Sequence, residues 1–162
     1  HPVDRRQRQM CIRDSYYSGL EFWFSKNMTT NLLGIDYGTK HVGFALGNTL
    51  TKSSENFFSF SYSKKNQLEQ KILEICKEWE ISQIIFGMPF NPDGSKNDMC
   101  RQIEKFSKKL LSKVDVKIFY HDENYTSTDF KIETKNENVK SFNNSHGYAA
   151  KLTLESFMRE QL

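Results

Sequence analysis

Apolar and polar residues alternate along this chain with two different periods, which predict where its strands and helices lie. Strands are expected where the period is two or where a short run is continuously apolar. Five segments fit one of these patterns: residues 31–36, 41–46, 57–62, 84–88 and 114–120. A tight turn at residues 37–40 joins the first two, and the apolar run at 84–88 is typical of a strand covered on both faces.

Helical spacing of apolar residues predicts three longer helices. The first begins after Ser63 as its N-cap, the second spans about residues 98–112, and the last begins near Gly147. The expected inward positions are Leu68, Ile72, Ile75, Cys76 and Trp79 in the first, Ile103, Phe106, Leu110 and Leu111 in the second, and Ala149, Leu152 and either Phe157 or Met158 in the last. A shorter helix is predicted near Thr126, before a polar loop at about residues 135–145.

The order of these elements predicts the fold class. Three strands in series, followed by a helix-strand-helix-strand-helix order, favour an α/β fold. Because helices and strands alternate in the second half, we expect a mixed five-stranded sheet with helices on both faces.

Residues 1–27 differ from the rest of the chain, since they mix arginines, aromatic residues and turn formers without a sustained period. The stretch at residues 6–15 resembles translated sequencing-adaptor read-through. We therefore expect a non-native or disordered leader at residues 1–27 and a native start at Met28; the alternative is a disordered basic arm that touches nucleic acid. Residues 28–162 are expected to form one domain, because a chain of this length can bury a single sizeable core.

Composition adds little about partners but excludes some classes of protein. The net charge of +3 comes mostly from residues 1–27, because the remaining residues hold 18 basic and 17 acidic side chains. No apolar run approaches the roughly 18 residues of a membrane helix, so no membrane partner is expected. Three cysteines without ligand spacing or a disulfide framework fit a reducing cytosol, and we expect a cytoplasmic protein.

Asp36 is the first candidate for chemistry. It ends the first predicted strand, where alternation puts Leu33 and Ile35 on one face and Gly34 and Asp36 on the other. The glycines at 34 and 38 leave open backbone where a metal ion and a phosphate could approach the carboxylate. The alternative is an aspartate that only caps the turn.

A second pair of carboxylates, Asp122 and Glu123, follows the fifth predicted strand. Sites in open α/β sheets are placed at the carboxyl ends of strands. Adjacent carboxylates repel each other, which favours a bound cation or compensating hydrogen bonds. The alternative is a solvated strand end.

Taken together, these segments resemble the RuvX/YqgF family over residues 31–157. The resemblance rests on Gly34-Ile35-Asp36-Tyr37-Gly38-Thr39-Lys40, Gly87-Met88-Pro89-Phe90-Asn91 with Asp93-Gly94-Ser95, Asp122-Glu123 with Thr126-Ser127, and Ala149-Ala150-Lys151-Leu152 with Leu154-Glu155-Ser156-Phe157. The family is described as a Holliday-junction resolvase and as the nuclease that matures the 5′ end of precursor small-subunit (16S) ribosomal RNA. The resemblance implies a ribonuclease H-like fold and a hydrolase that cleaves phosphodiester bonds.

The resemblance also implies a site with two divalent metal ions, Mg²⁺ or Mn²⁺. Asp36 and Glu123 match the first two ligand positions of the family, and Asp122 is an outer or alternative ligand. The third position, an aspartate in the family, falls on His146, which is a poorer partner for Mg²⁺ than for Mn²⁺. His146 as a helix cap is the alternative. The arginine that follows the Asp-Glu pair in the family is Asn124 here, so both departures predict weaker catalysis on the same fold.

Several polar and basic side chains are candidates for contact with nucleic acid. Arg101, Lys105 and Lys108 are spaced to form a basic stripe on the second helix, opposite its apolar face. The loop at residues 91–95 (Asn91, Ser95) with Lys96 could hold a phosphate, and Lys40 lies beside the predicted metal site. The stripe could equally be a solvated face. No base-reading motif is present, so we expect recognition by shape and charge.

Three functions compete at this point. The first is a metal-dependent nuclease acting on structured precursor ribosomal RNA or on branched DNA, as a monomer or a weak homodimer. The second is a sugar kinase or actin-like ATPase, for which about 135 residues are too few. The third is a nucleic-acid-binding module that has lost activity because His146 replaces an acid.

Overall fold

A five-stranded sheet with helices on both faces forms the part of the chain that the structure, a computed structural model, describes: residues 29–123 and 144–162. The strands are β1 (Asn31–Asp36), β2 (His41–Asn48), β3 (Ser53–Ser61), β4 (Ile81–Met88) and β5 (Lys117–Asp122). The helices within these residues are α1 (Lys65–Glu78), α2 (Asp98–Leu111) and α3 (Ser145–Gln161).

The strand order is β3-β2-β1-β4-β5, and the sheet is mixed. β2 pairs with β1 and β3 in antiparallel fashion, whereas β1, β4 and β5 run parallel to one another. The carboxyl ends of these three parallel strands therefore meet at one edge of the sheet. The predicted fold class is confirmed, and this edge is where the candidate site lies.

The two faces of the sheet have separate cores. Leu33 and Ile35 of β1 pack under α1 and α2, in the larger cluster of buried apolar side chains. Leu32 belongs to the smaller cluster under α3, and the backbone of Gly34 lies against Leu154 of that helix. The alternation predicted for β1 is thus confirmed, and Asp36 lies on the α3 face.

Three strands begin at other residues than predicted, and β2 ends two residues later, at Asn48, because pairing with a neighbour and not the apolar pattern sets these ends. β3 begins at Ser53 rather than at residue 57, since β2 keeps its pairing through Asn48 opposite Ser53. β4 begins at Ile81, opposite Asn31 of β1, and β5 begins only at Lys117, opposite Gln83. Backbone hydrogen bonding to a neighbour decides these ends, and a polar strand end carries no alternation to reveal it.

The ends of the first helix also correct the prediction. Lys64, not Ser63, is the N-cap of α1, and the Gln67 side chain accepts hydrogen bonds from the backbone N–H groups of both residues. Trp79 is the C-cap and 42% exposed, so it does not belong to the buried face. The last helix begins at Ser145, two residues before the predicted start. Its most buried apolar side chains are Ala150, Leu154, Phe157 and Met158. The predicted Leu152 is also buried, whereas Ala149 is only half-buried.

Some predictions lie outside the described residues. These are the leader at residues 1–27, the short helix near Thr126 and nearly all of the polar loop at 135–145. None of the helices within the described ranges is both long enough and apolar enough to cross a membrane.

A buried acid joins the two helices of the larger core. Glu69 of α1 is only 4% exposed, and its carboxylate pairs with Lys113 and, at 3.1 Å, with Lys109. These contacts, the one with Lys113 foremost, lower the pKa of Glu69 against the opposing effect of burial. The two half-exposed lysines offset the cost of burying the carboxylate, and the ion pairs join α1 to the end of α2.

Replacing Glu69 by glutamine is expected to lower the free energy of unfolding at pH 7 by about 1–2 kcal/mol, because both lysines lose their partner. Since the pKa of Glu69 is lower in the folded state, its stabilisation is present above the unfolded pKa and is lost as the pH falls through the folded pKa. Urea unfolding at pH 7 and in the acid range would show the difference between E69Q and the wild type shrinking with acid. Glu78→Gln, at an exposed position of the same helix, is the control. An equal deficit for E69Q at all pH values would contradict the ion-pair explanation.

Candidate active site

The candidate site forms where β1 and β5 end on either side of β4. Asp36 is the last residue of β1, and Glu123 follows β5 directly. Between them, Gly87 of β4 leaves room for the Glu123 side chain, since a Cβ at Gly87 would lie 2.1 Å from Glu123 Oε1. Glu123 therefore crosses β4 over a glycine, and its carboxyl group interacts with that of Asp36.

His146 reaches the same point from the first turn of α3. Its Nδ1 atom lies 2.8 Å from Asp36 Oδ2, and its side chain remains 41% exposed. Asn144, not His146, is the N-cap of this helix. The alternative in which His146 caps the helix is therefore wrong, and its ring is directed at Asp36.

Two strands bring the start of α3 this close to the sheet. Gly43 of β2 is paired with Asp36, and a Cβ at Gly43 would lie 1.7 Å from the His146 carbonyl oxygen. On β3, the Ser59 hydroxyl accepts a hydrogen bond from the Gly147 N–H at 3.0 Å and lies 3.2 Å from Asn144 Oδ1. The serine thus partners an N–H group of the first turn that the N-cap side chain leaves unpaired. A side chain at position 43 would push His146 away from Asp36.

The electrostatics of the site reflect two acids and an imidazole in close contact. Burial, and then the charge of Asp36 and a hydrogen bond with it, raise the pKa of Glu123 to about 8. The hydrogen bond with Asp36 raises the pKa of His146, against the opposing effect of burial. A proton or a cation between the carboxylates would relieve their repulsion.

The donor set of Asp36 and Glu123 fits a hard divalent cation, because both offer carboxylate oxygens and their closeness is unfavourable without a positive charge. As the side chains stand, no three or more His, Cys, Asp or Glu residues in the described ranges are arranged as a ready metal site. The imidazole is hydrogen-bonded to Asp36 instead.

Asp122 lies on the other face of the sheet. Ile118 and Tyr120 of β5 pack in the larger core, so alternation along the strand places Asp122 on the α1–α2 face. Its charge adds to the rise in the pKa of Glu123. Its place among the metal ligands stays a prediction.

Comparison with known proteins identifies the family. The family model described as "RuvX: Holliday junction resolvase" matches residues 30–160, which is most of the chain. The chain belongs to the RuvX family. The resemblance inferred from the sequence is thereby confirmed.

The curated relatives of this RuvX chain include bacterial proteins named "Putative pre-16S rRNA nuclease". The protein of Pseudomonas savastanoi pv. phaseolicola is 36% identical over 102 residues, which cover 63% of this chain and 70% of the relative. The protein of Shewanella oneidensis is 35% identical over 100 residues, covering 62% and 71%.

Solved structures support the fold of the RuvX chain. Thermus thermophilus RuvC matches 82% of this chain and 96% of its own with a TM-score of 0.56 and 8% identity. The Fowlpox virus resolvase, in complex with Holliday junction DNA, matches 82% and 99% with a TM-score of 0.56 and 12% identity. At these identities the likeness shows a common fold of the RuvC type and no more.

The residues of this RuvX chain that were predicted to contact nucleic acid are dispersed around the site. Lys40 is exposed in the turn between β1 and β2, beside the site. The loop at 91–95 is closed on itself: Asn91 Nδ2 donates to the Ser95 hydroxyl at 2.9 Å, and that hydroxyl donates to Asp93 at 2.7 Å. The loop therefore has a defined shape, while the polar atoms of Asn91 and Ser95 are engaged within it.

The basic stripe of the RuvX chain is partly neutralised by acids. Within the stripe, Arg101 pairs with Asp98 at 2.8 Å; Lys96, which precedes α2, pairs with Glu104. Lys105 and Lys108 are exposed on α2, which leads away from the site edge by about 1.5 Å per residue. Their contact with nucleic acid stays a prediction, as do those of Lys96 and Arg101. Asn124, Thr126 and Ser127 lie outside the described residues.

Sequence reasoning missed His41, which lies beside the site. The His41 ring stacks on His146 with centroids 6.0 Å apart and an angle of 18°, and its Nδ1 lies 2.8 Å from the Ser61 hydroxyl. Its carbonyl oxygen is the atom that a Cβ at Gly38 would meet at 2.3 Å. The sequence did hold a signal for His41. It is the first residue after the glycine-containing turn that follows Asp36.

Proposed function

We propose that residues 28–162 form a metal-dependent nuclease that hydrolyses phosphodiester bonds in the 5′-end maturation of precursor 16S ribosomal RNA. This proposal rests on the contacts that Glu123 and His146 both make with Asp36, at the carboxyl edge of three parallel strands. The family match and the names of the curated relatives support the substrate. Buried free thiols at Cys76 and Cys100 fit a cytoplasmic protein.

In this mechanism, Asp36 and Glu123 would hold Mg²⁺ or Mn²⁺. Bound there, two such ions supply activation of the attacking water and stabilisation of the leaving oxygen. His146 orients the Asp36 carboxylate through its Nδ1 contact, and it would be the third residue to hold such an ion. Lys40, in the exposed turn beside Asp36, attracts the phosphate group of the substrate.

A Holliday-junction DNA resolvase is the second candidate function. It is favoured by the description of the family model and by the junction complexes of two structural neighbours, T. thermophilus RuvC and the Fowlpox virus resolvase. The same carboxylates would act on either substrate, because they engage the phosphate group and not the base. Substrate choice then depends on the surface around the site.

The function is tested by incubating the protein with a precursor 16S fragment that carries its 5′ extension and, separately, with a four-way DNA junction. We expect cleavage of the RNA with Mn²⁺ and, more slowly, with Mg²⁺, because His146 suits the softer ion, and none with EDTA. Cleavage of the junction in preference to the RNA would support the resolvase. Tight binding of RNA without cleavage in either metal would support the binding module and overturn the nuclease.

A further inference from the structure

A groove of about 650 Å³ opens next to the candidate site. It lies between the start of β2, the end of β3 and one face of α1, and its volume is in the range of pockets that enclose small ligands. It is distinct from the loop at 91–95 and from the basic face of α2, which lie around the end of β4.

The groove reaches the site edge of the sheet at two residues of the β1–β2 connection, on the face covered by α1, whereas Asp36 and His146 lie on the face covered by α3. His41 lines the groove and stacks on His146, which in turn contacts Asp36. Lys40 lines the groove as well. A strand with a phosphate at Asp36 would therefore reach the groove by passing over the β1–β2 turn at Lys40 and His41.

The lining has the chemistry of a single-strand binding surface. Lys71 of α1 and Lys40 supply two positive charges against one acid, Glu74. Phe60 of β3 is half-buried, and Lys71 Nζ lies 6.0 Å from its ring centroid. Single strands are bound by basic grooves that contain aromatic rings, because phosphates contact the charges and bases stack on the rings.

We infer that this groove binds a single-stranded segment of RNA that adjoins the cleaved bond, with phosphates at Lys40 and Lys71 and, once Lys71 turns from the Phe60 ring to a phosphate, a base at Phe60. The inference rests on the proposed function and names how that substrate is held. Gln67 and Gln70 also line the groove. Gln67 Oε1 accepts from the start of α1 and Gln70 Nε2 donates to Glu74, so the Gln67 amide nitrogen and the Gln70 amide oxygen are the atoms that could contact a ribose 2′-hydroxyl.

The test compares Lys71→Gln with Lys77→Gln, which makes the same change on an exposed position of α1 outside the groove. Affinity for a fluorescent single-stranded RNA is measured by anisotropy in EDTA over a series of salt concentrations. We expect K71Q to weaken binding about fivefold and to reduce the slope of log K against log salt by about 0.7, the value for one phosphate contact on a single strand. K77Q leaves both quantities unchanged.

Equal effects of K71Q and K77Q would overturn the inference. So would a loss confined to duplex RNA, to a DNA junction or to single-stranded DNA of the same sequence. In cleavage, K71Q is expected to raise KM more than it lowers kcat, because the contact exists before and during the reaction.

The two proposals fail in different ways. A K71Q binding defect in a protein that cleaves nothing would leave the groove in place and overturn the nuclease. Metal-dependent cleavage with unchanged K71Q binding would retain the nuclease and overturn the groove.

Discussion

Replacing Asp36 by asparagine is expected to lower the rate of precursor-RNA cleavage by about 1,000-fold or more, equivalent to about 4 kcal/mol of activation free energy. Asparagine keeps the shape of the side chain but removes the negative charge with which both Glu123 and His146 interact. A divalent cation would lose its central ligand. The measurement is single-turnover cleavage in Mn²⁺, with RNA binding in EDTA as the companion assay.

Stability separates this chemical effect from unfolding. D36N keeps the shape of the side chain at the end of β1, so it is expected to remain folded in EDTA, with its thermal midpoint measured beside that of the wild type. Its thermal midpoint should also respond less to Mn²⁺. Asp98→Asn, at an exposed position at the start of α2, is the matched control and should cleave normally. Cleavage by D36N at the wild-type rate would rule out the proposed site.

Replacing His146 by aspartate is expected to raise the rate of cleavage supported by Mg²⁺ by about 10–100-fold, the range typical of changes in the ligand shell of a metal site. An aspartate here restores the third carboxylate of the family pattern. The position lies in the first turn of α3, where the present side chain already contacts Asp36. Mg²⁺ prefers oxygen ligands, so the gain should be larger with Mg²⁺ than with Mn²⁺. The ratio of the two rates is the quantity to measure.

His146→Asn is the control for this gain, because it removes the imidazole without adding a charge. Three carboxylates repel one another, so H146D should be less stable than H146N in EDTA and should gain more stability from Mg²⁺. If H146D cleaves no faster than H146N in Mg²⁺, the residue at position 146 is not the third metal ligand of the site.

The candidate site illustrates what can be predicted from sequence. Asp36 and Glu123 could be named because each follows a strand with a clear pattern and belongs to a recognisable motif. Their meeting could not be derived from either motif, since it depends on the order β1-β4-β5 and on Gly87 lying between them. His41 was missed because its importance comes from stacking on a residue 105 positions later in the chain.

By itself, the sequence determined the strands with strong apolar patterns, the faces of β1, the α/β class and the family, because these depend on local periodicity and on motifs within single elements. Only the tertiary structure decided that Asp36 is contacted by both Glu123 and His146, that His146 is not a cap, and that Asp122 lies on the other face. These outcomes depend on which strands pair, on how closely α3 can approach Gly43, and on the room that Gly87 leaves for the Glu123 side chain. Asp36 shows both contributions. The sequence identifies it as a candidate, and the packing of distant segments brings Glu123 and His146 into contact with it.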